Sequence, residues 1–208
     1  MAATRPAPLI PHLDCARIER ELRRTVGICT PWSGVIYRAV GIEYANRRDL
    51  ISGLGSKVHG ARWTPKGSFP AVYGSLDSHS AFLETMATGR RYGIPADQRM
   101  PLVIVAVDVR VQRLLDLTTV VLRKRLKLSP TSLAEDWEAS QRRGLESYTQ
   151  AIGRLAYELG IQALLVPSFR VKGGTNLIAF PDAIARGSLR IQNVKKLPRP
   201  TKKLRRSP

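Results

Sequence analysis

The sequence contains few acidic residues and few aromatic residues for its length. It has 16 Asp and Glu residues and 34 Lys and Arg residues, which gives a formal net charge of +18. Such a surplus of positive charge attracts polyanions, including nucleic acids, anionic lipids, acidic proteins and phosphorylated ligands. Aromatic residues make up only 6% of the chain and no RNA-binding signature is present, which argues against a dedicated RNA-binding module.

Only two cysteines occur, Cys15 and Cys29, and neither has a histidine or cysteine at metal-ligand spacing. A zinc site is therefore not expected. Two such thiols are typical of a reduced cytoplasmic protein, with a disulfide between them as the alternative. The sequence also lacks a run of 18 apolar residues, and its first residues lack the apolar segment of a secretion signal. We therefore expect no membrane span and a cytoplasmic location.

The glycine motifs of two common nucleotide-binding folds are missing as well. No GxGxxG follows a predicted strand and no GxxxxGK[ST] occurs, so neither a doubly wound dinucleotide-binding fold nor a P-loop is predicted. Helices and strands alternate without a regular βαβ rhythm. This pattern favours an α+β domain with a mixed or antiparallel β core and flanking helices. The 208 residues suffice for one such domain with short extensions.

The spacing of apolar residues predicts the order of the elements. Apolar residues four apart predict a helix from Asp14 to Gly27. The nearly continuous apolar run at 101–109 predicts a strand covered on both faces. The polar, glycine-rich segment 46–67 predicts a long ordered loop, which is typical of a functional region. Further strands are predicted at 34–40, 71–74, 161–166, 175–180 and 189–194, and further helices at 78–88 and within 132–160.

The two ends of the chain differ from its centre. Residues 1–12 are rich in proline and alanine, and we expect no fixed structure there. Residues 195–208 hold seven Lys and Arg, three prolines and no acid. This basic tail is predicted to be disordered and solvated, with a nucleic-acid contact as the alternative. The folded domain is therefore expected at 13–194.

Three residues with chemical potential recur at equal spacing near the centre. Arg62 lies in a glycine-flanked loop, Tyr73 follows 11 residues later on a predicted strand, and Glu84 follows 11 residues after that on a predicted helix. Arginine binds phosphate oxygens through a planar fork of donors, and tyrosine offers a flat ring and a hydroxyl to a nicotinamide. A carboxylate can stabilise positive charge that develops on a ribose. Singly, each residue also has an ordinary structural explanation, as a loop brace, a half-buried ring or a surface ion-pair partner.

The segments around these residues resemble the RES domain, the toxin half of RES–Xre toxin–antitoxin pairs. The resemblance covers about residues 34–181, and its most specific part is the segment GARWTPKG at 60–67, followed by Tyr73 and Glu84. Ala61 and Thr64 depart from the usual family pattern, although the Thr64 hydroxyl keeps the ability to hydrogen-bond. The other matching segments are Tyr37-Arg38, SGLGS at 52–56, AFLE at 81–84 and Val166-Pro167-Ser168.

The resemblance implies a fold akin to ADP-ribosyltransferase toxins and cleavage of the nicotinamide–ribose bond of NAD. Glu84 would stabilise the transition state, and Ser168 would position the ligand through its hydroxyl. NAD would be the substrate, with no other cofactor and no metal. The acceptor stays open among water, phosphate and a protein side chain. The implied catalytic residues are Glu84, Arg62 and Tyr73, and the implied NAD-binding residues are Arg38, Arg62, Tyr73 and Ser168.

The resemblance also implies a neutralising partner, a helix-turn-helix antitoxin of the Xre type. The charge of the chain supports an alternative function, a basic nucleic-acid-binding protein or ribonuclease toxin. A third possibility is a catalytically silent binding module in which Arg62, Tyr73 and Glu84 only brace a loop. Nicotinamide release and salt-dependent nucleic-acid binding discriminate among the three.

Overall fold

The computed structural model describes residues 8–91, 93–95 and 97–198. Its centre is a six-stranded mixed sheet in the order β1-β2-β5-β4-β3-β6, with a further pairing between β1 and β3. Because β1 pairs with both β2 and β3, the first five strands of this order close into a ring, and β6 adds to β3. In the described part, β3 and β4 run parallel and the other paired strands run antiparallel. The strands are Thr30–Gly41 (β1), Val72–Ser75 (β2), Leu102–Asp116 (β3), Ala163–Pro167 (β4), Thr175–Ala179 (β5) and Leu189–Ile191 (β6).

Helices flank this sheet, so the α+β class with a mixed β core is confirmed. The first and last of them, α1 and α8, pack against each other, and α4 packs against β1. Of the helices in the described part, none is both long enough and apolar enough to cross a membrane. The helices are Cys15–Thr25 (α1), Arg47–Ile51 (α2), Leu54–His59 (α3), Ser78–Arg91 (α4), Val120–Arg125 (α5), Pro130–Ala134 (α6), Trp137–Arg142 (α7) and Tyr148–Glu158 (α8).

The side chains of β5 supply two separate apolar clusters, because successive residues of a strand point to opposite faces. Leu177 and Ala179 join a cluster with Val105, Val107 and other β3 residues. Ile178, and Phe180 directly after the strand, join the larger cluster that contains the apolar faces of α1 and α8. Both faces of β5 are therefore buried, which fixes the strand that carries part of the site described below.

Strand β3 differs from its prediction. Val105, Val107 and Val109 are buried, but Ile104 between them is 44% exposed. The strand therefore alternates and buries mainly one face, so the expectation of a strand covered on both faces is wrong. Sequence could not separate the two cases, because exposed Ile104 is as apolar as its buried neighbours.

The segment 46–67 is not a continuous loop, since it contains the short helices α2 and α3. Asn46 starts α2 by accepting a hydrogen bond from the backbone N–H of Asp49 at 3.1 Å. Gly53 separates the two helices with a φ of +67°, and a Cβ there would lie 2.6 Å from the backbone nitrogen of Ala71. Only glycine fits this position, since it combines a left-handed backbone with close approach of another segment.

The amino-terminal residues of the described part are fixed to the domain. The N–H of Ile10 donates to the Gly144 carbonyl at 2.8 Å, and the N–H of Glu146 donates to the Ile10 carbonyl at 2.9 Å. The expectation of no fixed structure is therefore wrong for residues 10–12. Residues 1–7 and the tail residues 199–208 lie outside the described residues. Cys15 and Cys29 are free thiols, so the disulfide alternative is not realised.

Candidate active site

A cleft of about 820 Å³ lies where α4 packs against β1 and β2. Its volume falls in the range typical of small-molecule sites. Three of the residues singled out from the sequence line it: Arg38 from β1, Tyr73 from β2 and Glu84 from α4. The Thr85 hydroxyl donates to the Ala39 carbonyl at 2.9 Å, which holds the middle of α4 against β1 and so fixes the position of Glu84.

The Glu84 carboxylate is held by three side chains. Its Oε1 accepts hydrogen bonds from the Ser168 hydroxyl at 2.6 Å and from the Asn176 side-chain amide at 2.8 Å. Its Oε2 lies 3.5 Å from Nε of Arg170. The Asn176 amide is itself oriented, because its Oδ1 accepts from the Ser75 hydroxyl on the neighbouring strand at 2.7 Å. These contacts fix one carboxylate oxygen and leave the side chain 23% exposed toward the cleft.

Ser168 acts on Glu84 in this structure. Its hydroxyl hydrogen goes to Glu84, while its oxygen accepts from the backbone N–H groups of Arg170 and Val171 at 3.1 and 2.8 Å. A hydroxyl has one hydrogen and two lone pairs, so this group is fully engaged. Ser168 also does not line the cleft. The structure thus makes it a positioning residue for Glu84, and the direct contact with the ligand that the resemblance implies stays a prediction.

Arg38 brings a partly buried positive charge to the wall of the cleft. It follows the fully buried Ile36 by two positions on β1, so its side chain leaves the strand on the apolar side. Its Nε is buried and has no hydrogen-bond partner among the described residues. Burial lowers the pKa of Arg38 to about 10, because it weakens the solvation of the guanidinium by water. The group remains a cation at neutral pH, with donor capacity that an anionic ligand can use.

The Tyr73 hydroxyl is committed to the loop that precedes β2. It accepts from the backbone N–H of Trp63 at 3.2 Å and shares a hydrogen bond with the Thr64 hydroxyl at 2.8 Å. The expectation that Thr64 can hydrogen-bond is confirmed. Burial raises the pKa of Tyr73, so its phenol stays protonated at neutral pH. Tyr73 therefore offers its ring to the cleft, and the hydroxyl expected to meet a ligand is occupied elsewhere.

Arg62 is not on the wall of the cleft. Its Nη1 donates to the backbone carbonyls of Leu133 and of Glu135, the latter at 3.1 Å, and its guanidinium lies 5.0 Å from the ring centroid of Phe169. The arginine thus joins the 60–67 loop to the end of α6 and to the residue after Ser168. In this structure it braces the loop, and its expected contact with phosphate stays a prediction.

The loop that carries Arg62 packs against α8. Ala61 and Thr64 exchange two backbone hydrogen bonds of 2.8 and 3.1 Å, which places Trp63 at a turn with its side chain in the core. The Gln150 side chain donates to the Ala61 carbonyl at 3.1 Å. Gly153 lets the Trp63 backbone approach α8, because a Cβ there would overlap the Trp63 carbonyl oxygen.

Two residues of the arrangement, Asn176 and Arg170, are absent from the sequence prediction. Asn176 interrupts an apolar strand with a polar side chain, a signal that could have identified it. Arg170 follows Ser168 in a basic loop and carries no comparable signal. In the part of the chain that the structure describes, no group of three or more His, Cys, Asp or Glu is placed to hold a metal ion.

Comparison with known proteins gives consistent matches. The RES domain family model matches residues 35–201. Proteins named NAD(+) phosphorylase MbcT from Mycobacterium bovis and Mycobacterium tuberculosis are 29% identical over 150 residues, covering 71% of this chain and 72% of theirs. A crystal structure of the M. tuberculosis MbcT–MbcA toxin–antitoxin complex matches with a TM-score of 0.66 and 25% identity, covering 84% of this chain and 88% of that one. Since the family model spans most of its length, the chain belongs to the RES domain family.

Proposed function

We propose that this chain is a toxin that cleaves the nicotinamide–ribose bond of NAD and transfers the ADP-ribosyl group to phosphate. The observation that carries the proposal is the Glu84 carboxylate, held by Ser168 and Asn176 at a cleft that the Arg38 cation also lines. Phosphate is chosen among the three open acceptors because the MbcT relatives are named NAD(+) phosphorylases.

In this reaction the bond from the anomeric carbon to the nicotinamide nitrogen breaks and leaves its electron pair on neutral nicotinamide. Positive charge then develops on the ribose, and a fixed carboxylate beside it lowers the energy of that state. Glu84 needs no reorientation to do so, because Ser168 and Asn176 already hold its Oε1. The Tyr73 ring supplies a flat wall for the nicotinamide, and Arg38 supplies a cation for the diphosphate.

The proposal includes a neutralising partner. The related solved structure contains a toxin bound to its antitoxin, and we expect this chain to have an antitoxin of its own, of the Xre helix-turn-helix type that the resemblance implies. Expression of the chain alone should arrest bacterial growth, and co-expression of a cognate antitoxin should relieve it. A reduced cytoplasmic location, where NAD is available, is part of the same proposal.

Binding of nucleic acid through residues 195–208 stays a separate prediction. Of these residues, 199–208 lie outside the described part, so it depends on composition alone. Affinity for DNA should fall steeply with salt concentration and should be lost when residues 195–208 are deleted. If the truncated and full-length chains bind DNA with equal affinity, another surface of the protein makes the contact with DNA.

The test of the catalytic proposal is nicotinamide release by the purified chain incubated with NAD, with and without inorganic phosphate. We expect release with phosphate and formation of ADP-ribose 1″-phosphate in equal amount. A chain that binds DNA or degrades RNA but leaves NAD intact would favour the nucleic-acid alternative. A folded chain without any of these activities would favour the silent binding module.

A further inference from the structure

Arg170 is placed beside the carboxylate that the proposed reaction uses. In the described part of the chain, it is the cation that forms an ion pair with Glu84, with Nε 3.5 Å from Oε2. Both side chains are about one fifth exposed, at 22% and 23%. No other acceptor for the Arg170 guanidinium is present among the residues that the structure describes, so its two Nη groups retain their donors.

The loop that carries Arg170 is fixed by the same hydroxyl that holds Glu84. The Ser168 oxygen accepts from the Arg170 and Val171 amides while its hydrogen goes to Glu84 Oε1. At the other end of the loop, the Gly174 carbonyl accepts from the Ser168 N–H at 2.8 Å. One side chain therefore sets the position of the carboxylate and of the backbone that bears the arginine. The contacts of Ser168 therefore keep the Arg170 guanidinium close to Glu84.

Phosphorolysis raises a charge problem that this arrangement can solve. The attacking phosphate oxygen must reach the anomeric carbon, which lies beside Glu84 if that carboxylate stabilises the ribosyl cation. Two anions close together repel each other, and the repulsion grows where protein replaces water around them. A cation that faces both relieves the repulsion, and the planar fork of arginine binds two phosphate oxygens at once.

We propose that Arg170 forms the binding site for the acceptor phosphate, an inference that rests on the proposed function. A lone pair of a phosphate oxygen forms the new bond to the anomeric carbon, while the bond to nicotinamide breaks with its electrons on nitrogen. Hydrogen phosphate is already an anion, so no oxidant, reductant or general base is needed. Arg38 lies on the cleft wall and remains for the diphosphate of NAD. Arg170 is not among the residues that line the cleft and adjoins it at Glu84.

The test compares Arg170→Gln with wild type and with Lys172→Gln, a matched control in the same loop. Lys172 is exposed, so this control removes one positive charge from the loop without altering the contact to Glu84. The measurements are the KM for phosphate and the ratio of ADP-ribose 1″-phosphate to ADP-ribose among the products. In Arg170→Gln we expect the phosphate KM to rise about tenfold to a hundredfold, as for loss of charge-assisted hydrogen bonds, and the product ratio to shift toward ADP-ribose.

High phosphate should restore the rate of Arg170→Gln, and Lys172→Gln should resemble wild type. An unchanged phosphate KM and product ratio in Arg170→Gln would overturn the assignment, as would a loss of activity that no phosphate concentration restores. Wild-type protein that forms only ADP-ribose would also overturn the phosphate site, although the proposal that the chain cleaves NAD would still hold. Wild-type protein that does not consume NAD at all would instead refute the proposed function.

Discussion

Replacement of Glu84 by glutamine separates catalysis from structural support. Gln is nearly the same size, and its amide oxygen can still accept from Ser168 and Asn176. The negative charge is lost, together with the acceptor oxygen that faces Arg170. If that charge stabilises the ribosyl cation, kcat should fall by about 10²–10³-fold, the range seen when one preorganised electrostatic contact is removed.

The cost in stability follows from the same contacts. The partly exposed ion pair with Arg170 is worth about 0.2–1 kcal/mol. The two hydrogen bonds persist but lose their charge assistance, which we set at about 0.5 kcal/mol each. The free energy of unfolding should therefore fall by less than about 2 kcal/mol, and Tm by less than roughly 8 °C for a domain of this size.

The assay is nicotinamide release under saturating NAD and phosphate, paired with thermal unfolding of the same preparations. Glu158→Gln is a matched control, because Glu158 also pairs with an arginine, at 3.1 Å, but lies on α8 and does not line the cleft. It should lose a similar or smaller amount of stability and keep the wild-type rate. A Glu84→Gln variant within about threefold of the wild-type kcat would refute the reasoning. A Tm drop far beyond the expected range would support the bracing explanation instead.

Three further predictions address the cleft and its supports. Arg38→Met should raise Tm, because an apolar side chain avoids the burial cost that lowers the Arg38 pKa to about 10, yet it should raise the KM for NAD; a lower Tm with unchanged KM would contradict this. Tyr73→Phe should lower the free energy of unfolding by about 1–3 kcal/mol, because the Trp63 amide loses its acceptor. An unfolding free energy equal to that of wild type, measured by denaturant titration, would contradict this. Gly153→Ala should lower stability by about 1–3 kcal/mol or more by overlap with the Trp63 carbonyl, and an unchanged Tm would show that α8 and the loop can separate freely.

Local sequence patterns predicted the elements that bear the cleft residues. A β-rich segment ending in Gly74 and a helical pattern after Ser78 correspond to β2 and α4. Because a short connection joins them, Tyr73 and Glu84 could be placed near each other from sequence. The α2 and α3 helices were missed since five- and six-residue helices carry too little periodicity for recognition.

The contacts that decide each side chain's role could not be predicted locally. Arg62 is engaged by carbonyls more than 70 positions away in the chain, at Leu133 and Glu135. The partners of Glu84, Ser168 and Asn176, lie 84 and 92 positions away. Residue type and spacing identified a carboxylate and an arginine with suitable chemistry. Only the folded chain shows that one faces the cleft and the other supports a loop.

The most direct measurement is a crystal structure of the Glu84→Gln variant with NAD bound. We expect the nicotinamide ribose to lie in the cleft beside residue 84, with the nicotinamide against Tyr73 and the diphosphate within hydrogen-bond distance of Arg38. NAD bound on another surface, or in the cleft with its ribose turned away from residue 84, would contradict it.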